Sequence, residues 1–519
     1  MVAVFRPRGI KITLRVPRVK SPSAREYGPS AILNAKRDQF GPRGRRVPHI
    51  RVARWGLPIW RSFFFVLFVE NRREFGAVSD LTIATIIFIL TYAVIVSERL
   101  DRATVALTGG ALMIAFGILD QSQALESIDV NTLALLVGMM IIINVLKRTG
   151  VFRYAGWRTA ISLGGDPWRM LVSFAIFTAI ASAFLDNVTT ILLMVPVTIA
   201  ITDDLGLDPR PFLITQVIAS NIGGTATLIG DPPNILIGGA TGLNFLDFLV
   251  NLGPLVLVLL ILMIPGFWFV YRRSDRLGTP SAEGSLALAK ANARVHLGDR
   301  GLTRRSLIVL ALTIAGFVLH SVLGFEAGTI AMFGAILLLL LSRIDLHDVL
   351  SEVEWPTIFF FIGLFILVGG IEEIGLLDRL AERAVDLTGG DVVLTALVLL
   401  WLAGIASALV DNIPAVATLI PLTFAVSRLT FPDLAALDDR TLAAHPDVVP
   451  LWWALALGAC LGGNGTLVGA SANVVAVGIA ERRGDRIGFW GFTKIGAPFA
   501  LVSLVVASFY IWLRYFAFN

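Results

Sequence analysis

Charged side chains are scarce in this sequence. Asp, Glu, Lys and Arg make up 16% of its 519 residues, against about 25% in a typical soluble protein. That shortage argues against a water-soluble fold, which would need many wholly buried helices and almost no polar faces. Cysteine is scarcer still. Cys460 stands alone, so no intramolecular disulfide can form and the redox compartment is not legible. The five histidines show no metal-ligand spacing. No phosphate-binding loop, nucleotide-binding cassette or dinucleotide-binding fingerprint stands out, which argues against ATP as the energy source and leaves ion gradients.

What is present is hydrophobic length. Apolar runs such as "LTIATIIFILTYAVIV", "LVLVLLILMIPGFWFV" and "LVSLVVASFYIWL" recur from about residue 80 to the C terminus. About 20 such residues make a helix that crosses a hydrocarbon core. The expectation is an all-α, multi-pass integral membrane protein in a lipid bilayer, of a prokaryotic plasma membrane. Positive charge gathers at the front: residues 1–75 hold most of an Arg- and Pro-rich, acid-poor stretch ("GPRGRRVPHIRVARW"). Such an arm can meet anionic lipid or nucleic acid, but it reads as a disordered tail or as translation upstream of the true start, with no nucleic-acid partner.

A duplication organises the rest. An offset of 225 pairs Thr104 with Thr329, Asp120 with Asp345, Thr132 with Thr357, Gly138 with Gly363, Gly150 with Gly375, Asp166 with Asp391, Asp186 with Asp411 and Pro196 with Pro421. After a longer polar loop in the second copy the offset becomes 239, pairing Gly223 and Gly224 with Gly462 and Gly463, Thr227 with Thr466 and Asn234 with Asn473. Residues 80–272 form the first repeat, 273–304 a cytoplasmic linker and 305–516 the second repeat. Crossings are expected near 80–99, 103–119, 131–147, 208–240 and 251–272, then 305–322, 327–342, 355–373, 449–481 and 493–515. Between the third and fourth crossing of each copy, apolar arms (168–185 with 187–203; 392–410 with 412–428) read as re-entrant hairpins, too short to span. Five crossings per copy invert the second copy relative to the first. Loop charge agrees: "KRTGVFRYAGWR" (147–158) is basic and its partner "IEEIGLLDRLAERAVD" (371–386) is net acidic, and Lys and Arg collect on cytoplasmic loops. Ten crossings would leave the basic arm outside, unless an extra crossing exists near 57–73.

Each hairpin tip carries an Asp-Asn pair, "FLDNVTT" and "LVDNIPA". An ionisable group at membrane depth costs about 2.5–3.5 kcal/mol and by default marks a pathway. Helix capping by Asp or Asn is the competing explanation for Asp186 and Asp411 and is part of the answer, but an Asn alone would suffice for it and a costly carboxylate stands beside it in both copies. "SNIGGTATLIGDPPNILIGG" and "LGGNGTLVGASANVVAVG" put helix-breaking Gly and Pro mid-crossing. Broken backbone is tolerated there only where protein or a water-filled cavity covers it, and paired breaks point to a transporter's binding site. Close packing through small residues is the competing explanation. The candidate site comprises Asp186, Asn187 and Thr189; Asp411 and Asn412; Gly223, Gly224, Thr225, Thr227, Asp231 and Asn234; and Gly462, Gly463, Asn464, Thr466, Ser471 and Asn473.

At these residues the sequence resembles the ion transporter superfamily. "SAFLDNVTTILLMVPVTI", "NIGGTATLIGDPPNILI" and "LGGNGTLVGASANVVAVGIAE" are most similar to its arsenical pump, sodium–proton antiporter and melanosomal P-protein branch, with a citrate-transporter-like domain. The resemblance spans roughly residues 80 to 515. It implies inverted repeats, hairpin tips at the substrate site, a homodimer and alternating access. Dicarboxylate carriers of the superfamily have neutral tips, whereas Asp186 and Asp411 suit a cation or an exchanged proton, since a desolvated carboxyl protonates more readily than an exposed one. The leading expectation is therefore a secondary active transporter, no enzyme and without cofactor, exchanging sodium and protons with Asp186 and Asp411 as ion ligands. An arsenite or organic-anion permease and an ion channel are the alternatives. Asp231 has Ala470 as its counterpart and Thr225 has Asn464, so unequal roles are expected of the two copies.

Overall fold

The computed structural model describes residues 79–97, 99–272, 277–280 and 298–518. The basic arm, the crossing considered near 57–73 and most of the linker lie outside the described residues. All regular structure among the described residues is helical. Among the described residues, nine helices are long and apolar enough to cross a membrane, and four shorter apolar helices accompany them.

The helices gather in two bundles. Six of them form the first: Asp80–Val96, Arg102–Ala115 and Val130–Arg148, with Arg300–Val318, Ala327–Ser342 and Trp355–Glu373. The copies interlock here, because Val130–Arg148 packs on Ala327–Ser342 and Arg102–Ala115 packs on Trp355–Glu373. Glycine makes both crossings close. A Cβ on Gly138 would overlap Ala331, and one on Gly363 would overlap the backbone at Ala106 and Leu107. The two glycines, and the two alanines, are related by the 225 offset.

The second bundle holds the hairpins, the broken helices and the long helices Phe245–Phe267 and Phe489–Tyr515. Residues 208–240 divide into Arg210–Gly224 and Pro232–Thr241. Residues 449–481 divide into Val449–Gly462 and Ser471–Arg483, with a short 3₁₀ turn at Leu467–Gly469 between them. The hairpin arms are Pro167–Phe184 with Asn187–Leu205 and Val392–Val410 with Asn412–Thr430. At 18 or 19 residues and 1.5 Å per residue, each arm is about 27–29 Å long, close to the ~30 Å hydrocarbon core. By length and composition alone each arm could cross, so arm length does not by itself make the hairpins re-entrant. Two helices also occupy stretches read as loops, Val151–Ser162 and Leu376–Thr388. Each starts after a left-handed glycine, Gly150 (φ 71°) or Gly375 (φ 67°), and each packs on the second arm of its hairpin.

Many of the paired residues turn out to be helix caps. Asp166 accepts from the Arg169 amide and Asp391 from the Leu394 amide, both at 2.7 Å, starting the first arm of each hairpin. Asp120 and Asp345 begin the short helices Gln121–Glu126 and Leu346–Leu350 in the same way.

Candidate functional site

Both hairpin tips lie among the helix breaks, with Asn187 and Asn412 buried and Asp186 and Asp411 half-buried. Asp186 caps Asn187–Leu205, accepting from the Thr189 amide at 2.8 Å and from the Thr189 hydroxyl. Asp411 caps Asn412–Thr430, accepting from the Ile413 amide at 3.1 Å. The carboxylates themselves are the caps, as the capping explanation for Asp186 and Asp411 has it, and the asparagines point elsewhere. Asn187 donates to Asn221 Oδ1 at 3.1 Å, and Asn412 donates to Asp231 Oδ1 at 2.9 Å. Each tip therefore grips a broken helix through its asparagine.

Asparagine also repairs the breaks. Asn234 Nδ2 donates to the carbonyls of Thr225 (3.1 Å) and Thr227 (2.9 Å). Asn473 Nδ2 donates to those of Gly463 (2.8 Å) and Thr466 (2.9 Å). These carbonyls lie at or just past the helix ends, where helical donors run out; that of Thr466 also accepts from the Gly469 amide at 3.3 Å. Thr227 and Thr466 tie each break to its hairpin by donating to the carbonyls of Ala183 and Ala408. Close approach demands glycine at two matched positions. A Cβ on Gly223 would overlap the Ala179 carbonyl, and one on Gly462 would overlap the Gly404 carbonyl. Thr225 donates to the Asn221 carbonyl at 2.7 Å, and Gly224 and Gly463 pack against Gly230 and Gly469.

A central hydrogen-bonded network joins the copies. Asn221 Nδ2 donates to Asn464 Oδ1 (2.9 Å) and Asn473 Oδ1 (3.0 Å). Its counterpart at the 239 offset, Cys460, donates to Asn234 Oδ1 at 3.5 Å. The same contact is thus made in both directions across the duplication. Two acceptor oxygens are left over: Asn187 Oδ1 and Asp231 Oδ2 are buried with no hydrogen-bond partner, and Asp231 is 0% exposed.

Arg102, which sequence reasoning missed, supplies a positive charge at the site. Its Nη1 lies 2.5 Å from Ser471 Oγ and 3.4 Å from Asp411 Oδ2, and Ser471 Oγ donates to that same Oδ2 at 2.7 Å. The guanidinium also covers the Phe360 ring, 5.3 Å from its centre. Asp411 adopts φ 110°, a region costly for any residue with a Cβ, by about 1–3 kcal/mol, whereas Asp186 has an ordinary extended conformation at φ −61°. The two carboxylates are thus unequal: Asp411 has a cationic partner and Asp186 has hydroxyl and amide donors. Glu354, the counterpart of Asp129, lies within electrostatic range of Asp186 and Arg102. Among the described residues no group of three or more His, Cys, Asp or Glu is placed to hold a metal ion.

Hairpin tips meeting paired helix breaks, in a multi-pass helical membrane protein, are the features of a carrier of small solutes. The chain belongs to the citrate transporter family (CitMHS), whose model matches residues 92–458. It is 43% identical to an uncharacterized transporter of Mycobacterium tuberculosis over 443 residues, 84% of this chain and 99% of that protein. It is 34% identical to the P protein of Homo sapiens over 514 residues, 83% of this chain but 60% of that longer protein. Two solved structures share the fold. The YdaH transporter of Alcanivorax borkumensis, described as having an unusual topology, has a TM-score of 0.51 at 14% identity, covering 83% of this chain and 98% of its own. MtrF of Neisseria gonorrhoeae, described among antimetabolite efflux pumps, has a TM-score of 0.55 at 10% identity, covering 86% and 96%. The chain is an integral, multi-pass membrane transporter.

Proposed function

We propose that this transporter is a secondary active carrier that couples its substrate to a proton or sodium ion taken up at the carboxylates of the site, with cation/proton antiport as the simplest cycle. The observation that carries this is Asp231, a fully buried carboxylate whose Oδ1 accepts from Asn412 and whose Oδ2 has no well-aligned hydrogen-bond partner, with only the weak thiol donor of Cys460 beside the group. A carboxylate oxygen in that position is tolerated only with a proton on it or a cation beside it. Asn187 Oδ1, a second buried acceptor without a donor, is the kind of oxygen sodium uses. Asp186 and Asp411 lie within electrostatic range of Asp231, so an ion arriving at one is felt by all three. The mycobacterial relatives support a prokaryotic plasma membrane as its location, and a homodimer is the assembly we propose for it.

Unfolding of the purified protein tests ion uptake without knowledge of the substrate. A ligand bound only by the folded state stabilises it by about 2.7 kcal/mol at a hundredfold its Kd. Sodium replacing choline, or a lower pH, is expected to raise the unfolding midpoint of the parent protein and to leave Asp231→Asn unmoved. A parent indifferent to both ions, or a variant that responds as the parent does, contradicts the proposal.

A second reading is a carrier of small anions, in line with the family's description. Arg102 favours it, because a guanidinium with donors to spare is a good receptor for a carboxylate.

A further inference from the structure

The two copies match in most contacts and differ at the boundary between the bundles. In the first copy, the half-helix Pro232–Thr241 lies against the start of Val130–Arg148. Gly239 leaves no room for a Cβ beside Asp129 and Thr132, and Ile235 is 3% exposed. In the second copy, Ser471–Arg483 stands clear of Trp355–Glu373. A Cβ on Gly478, the counterpart of Gly239, would meet nothing within 4 Å, and Val474, the counterpart of Ile235, is 37% exposed.

The hairpins differ in the opposite sense. The second hairpin is fastened to the six-helix bundle by Arg102, which meets its Asp411 and also holds Ser471 at the very start of the half-helix, whose later turns stand clear. Tyr92 adds a second tie, its hydroxyl 2.9 Å from the Pro414 carbonyl and 2.6 Å from Thr418 Oγ1. The position equivalent to Arg102 is Ala327, so the first hairpin has no cation to meet Asp186. A duplicated chain whose copies adopt two arrangements has a second state in which the arrangements are exchanged. In that state Gly478 closes on Glu354 and Thr357, Gly239 opens, and the second hairpin leaves Arg102.

We infer that Arg102 is a positioning residue that latches the second hairpin to the six-helix bundle, and that it selects the state seen here because the exchanged state has no counterpart for it. The energetic consequence is one-sided: the contact is lost on exchange and nothing equivalent is gained. The strained backbone of Asp411 fits a tip held under load by that contact.

Cysteine labelling tests this with no need of substrate or coupling ion, so its failure would leave the proposed function untouched. Single Val474→Cys and Ile235→Cys variants in lipid nanodiscs, where both faces are open, are treated with a polar maleimide. The parent is the blank, since Cys460 is buried. Val474→Cys is expected to react much faster than Ile235→Cys. Adding Arg102→Gln should slow the first and speed the second, the ratio of the two rates falling by about fivefold for a modest ion pair lost from a two-state balance, and Arg102→Lys should restore part of the difference. Ala327→Arg, which offers Asp186 a cation, should shift the rates in the same direction as Arg102→Gln. Equal rates at both sites in the parent background would overturn the inference. So would rates unmoved by Ala327→Arg, or by Arg102→Gln in folded protein. General loosening of the fold would speed both reactions, so opposed changes distinguish a latch from a structural role.

Discussion

Asparagine does at this site what water does at a soluble helix end. Asn473 donates to two carbonyls, those of Gly463 and Thr466, and no solvent at membrane depth can replace it. Removing a partner from a buried polar group costs about 1–3 kcal/mol. Asn473→Ala is therefore expected to lower unfolding stability by at least that amount, whereas Asn473→Asp keeps an acceptor in place of the donor and should do no better. Chemical unfolding in detergent measures both. The glycines give a second prediction at this scale. Gly223→Ala sets a Cβ into the Ala179 carbonyl and should cost about 1–3 kcal/mol as overpacking does, while Gly478→Ala should leave stability unchanged because the space beside it is open.

At the scale of elements, that same open space becomes a requirement. If the half-helix Ser471–Arg483 must close on Trp355–Glu373 as Pro232–Thr241 closes on Val130–Arg148, a bulky side chain at position 478 blocks the closure. Gly478→Val is expected to fold normally and to abolish transport, and proteoliposome flux beside an unfolding curve separates the two outcomes. The breaks and tips were legible because a membrane segment makes every polar residue conspicuous: Asp186, Asp411, and the glycines before Asn234 and Asn473 stand out against apolar neighbours. Arg102 was not legible. It lies at a helix start, where a cation reads as a flanking anchor, and its partner Asp411 is 309 residues away. Asn221 lay inside a quoted motif but drew less notice than the glycines beside it, although a polar side chain mid-crossing was the available signal. The helices Val151–Ser162 and Leu376–Thr388 read as loops because their charged residues are conspicuous and their buried faces are short.

For the whole molecule, duplication supplies two versions of each part, and divergence between them supplies direction. Asp231 against Ala470 and Arg102 against Ala327 give the site one extra carboxylate and one cation rather than two of each, and Asn221 against Cys460 makes its central polar network one-sided. The family match gives a transporter, the matched contacts relate its two copies, and the carboxylates supply the coupling claim. That claim is tested most directly by the pH inside proteoliposomes after an external sodium pulse, for the parent, Asp231→Asn and the Asp186→Asn/Asp411→Asn double variant. The account predicts that the lumen turns alkaline with the parent as sodium enters and protons leave, and that both variants lose this movement. Folded, correctly inserted parent protein that moves no protons in response to sodium would contradict cation/proton antiport, and undiminished movement in Asp231→Asn would remove the carboxylate on which the account rests.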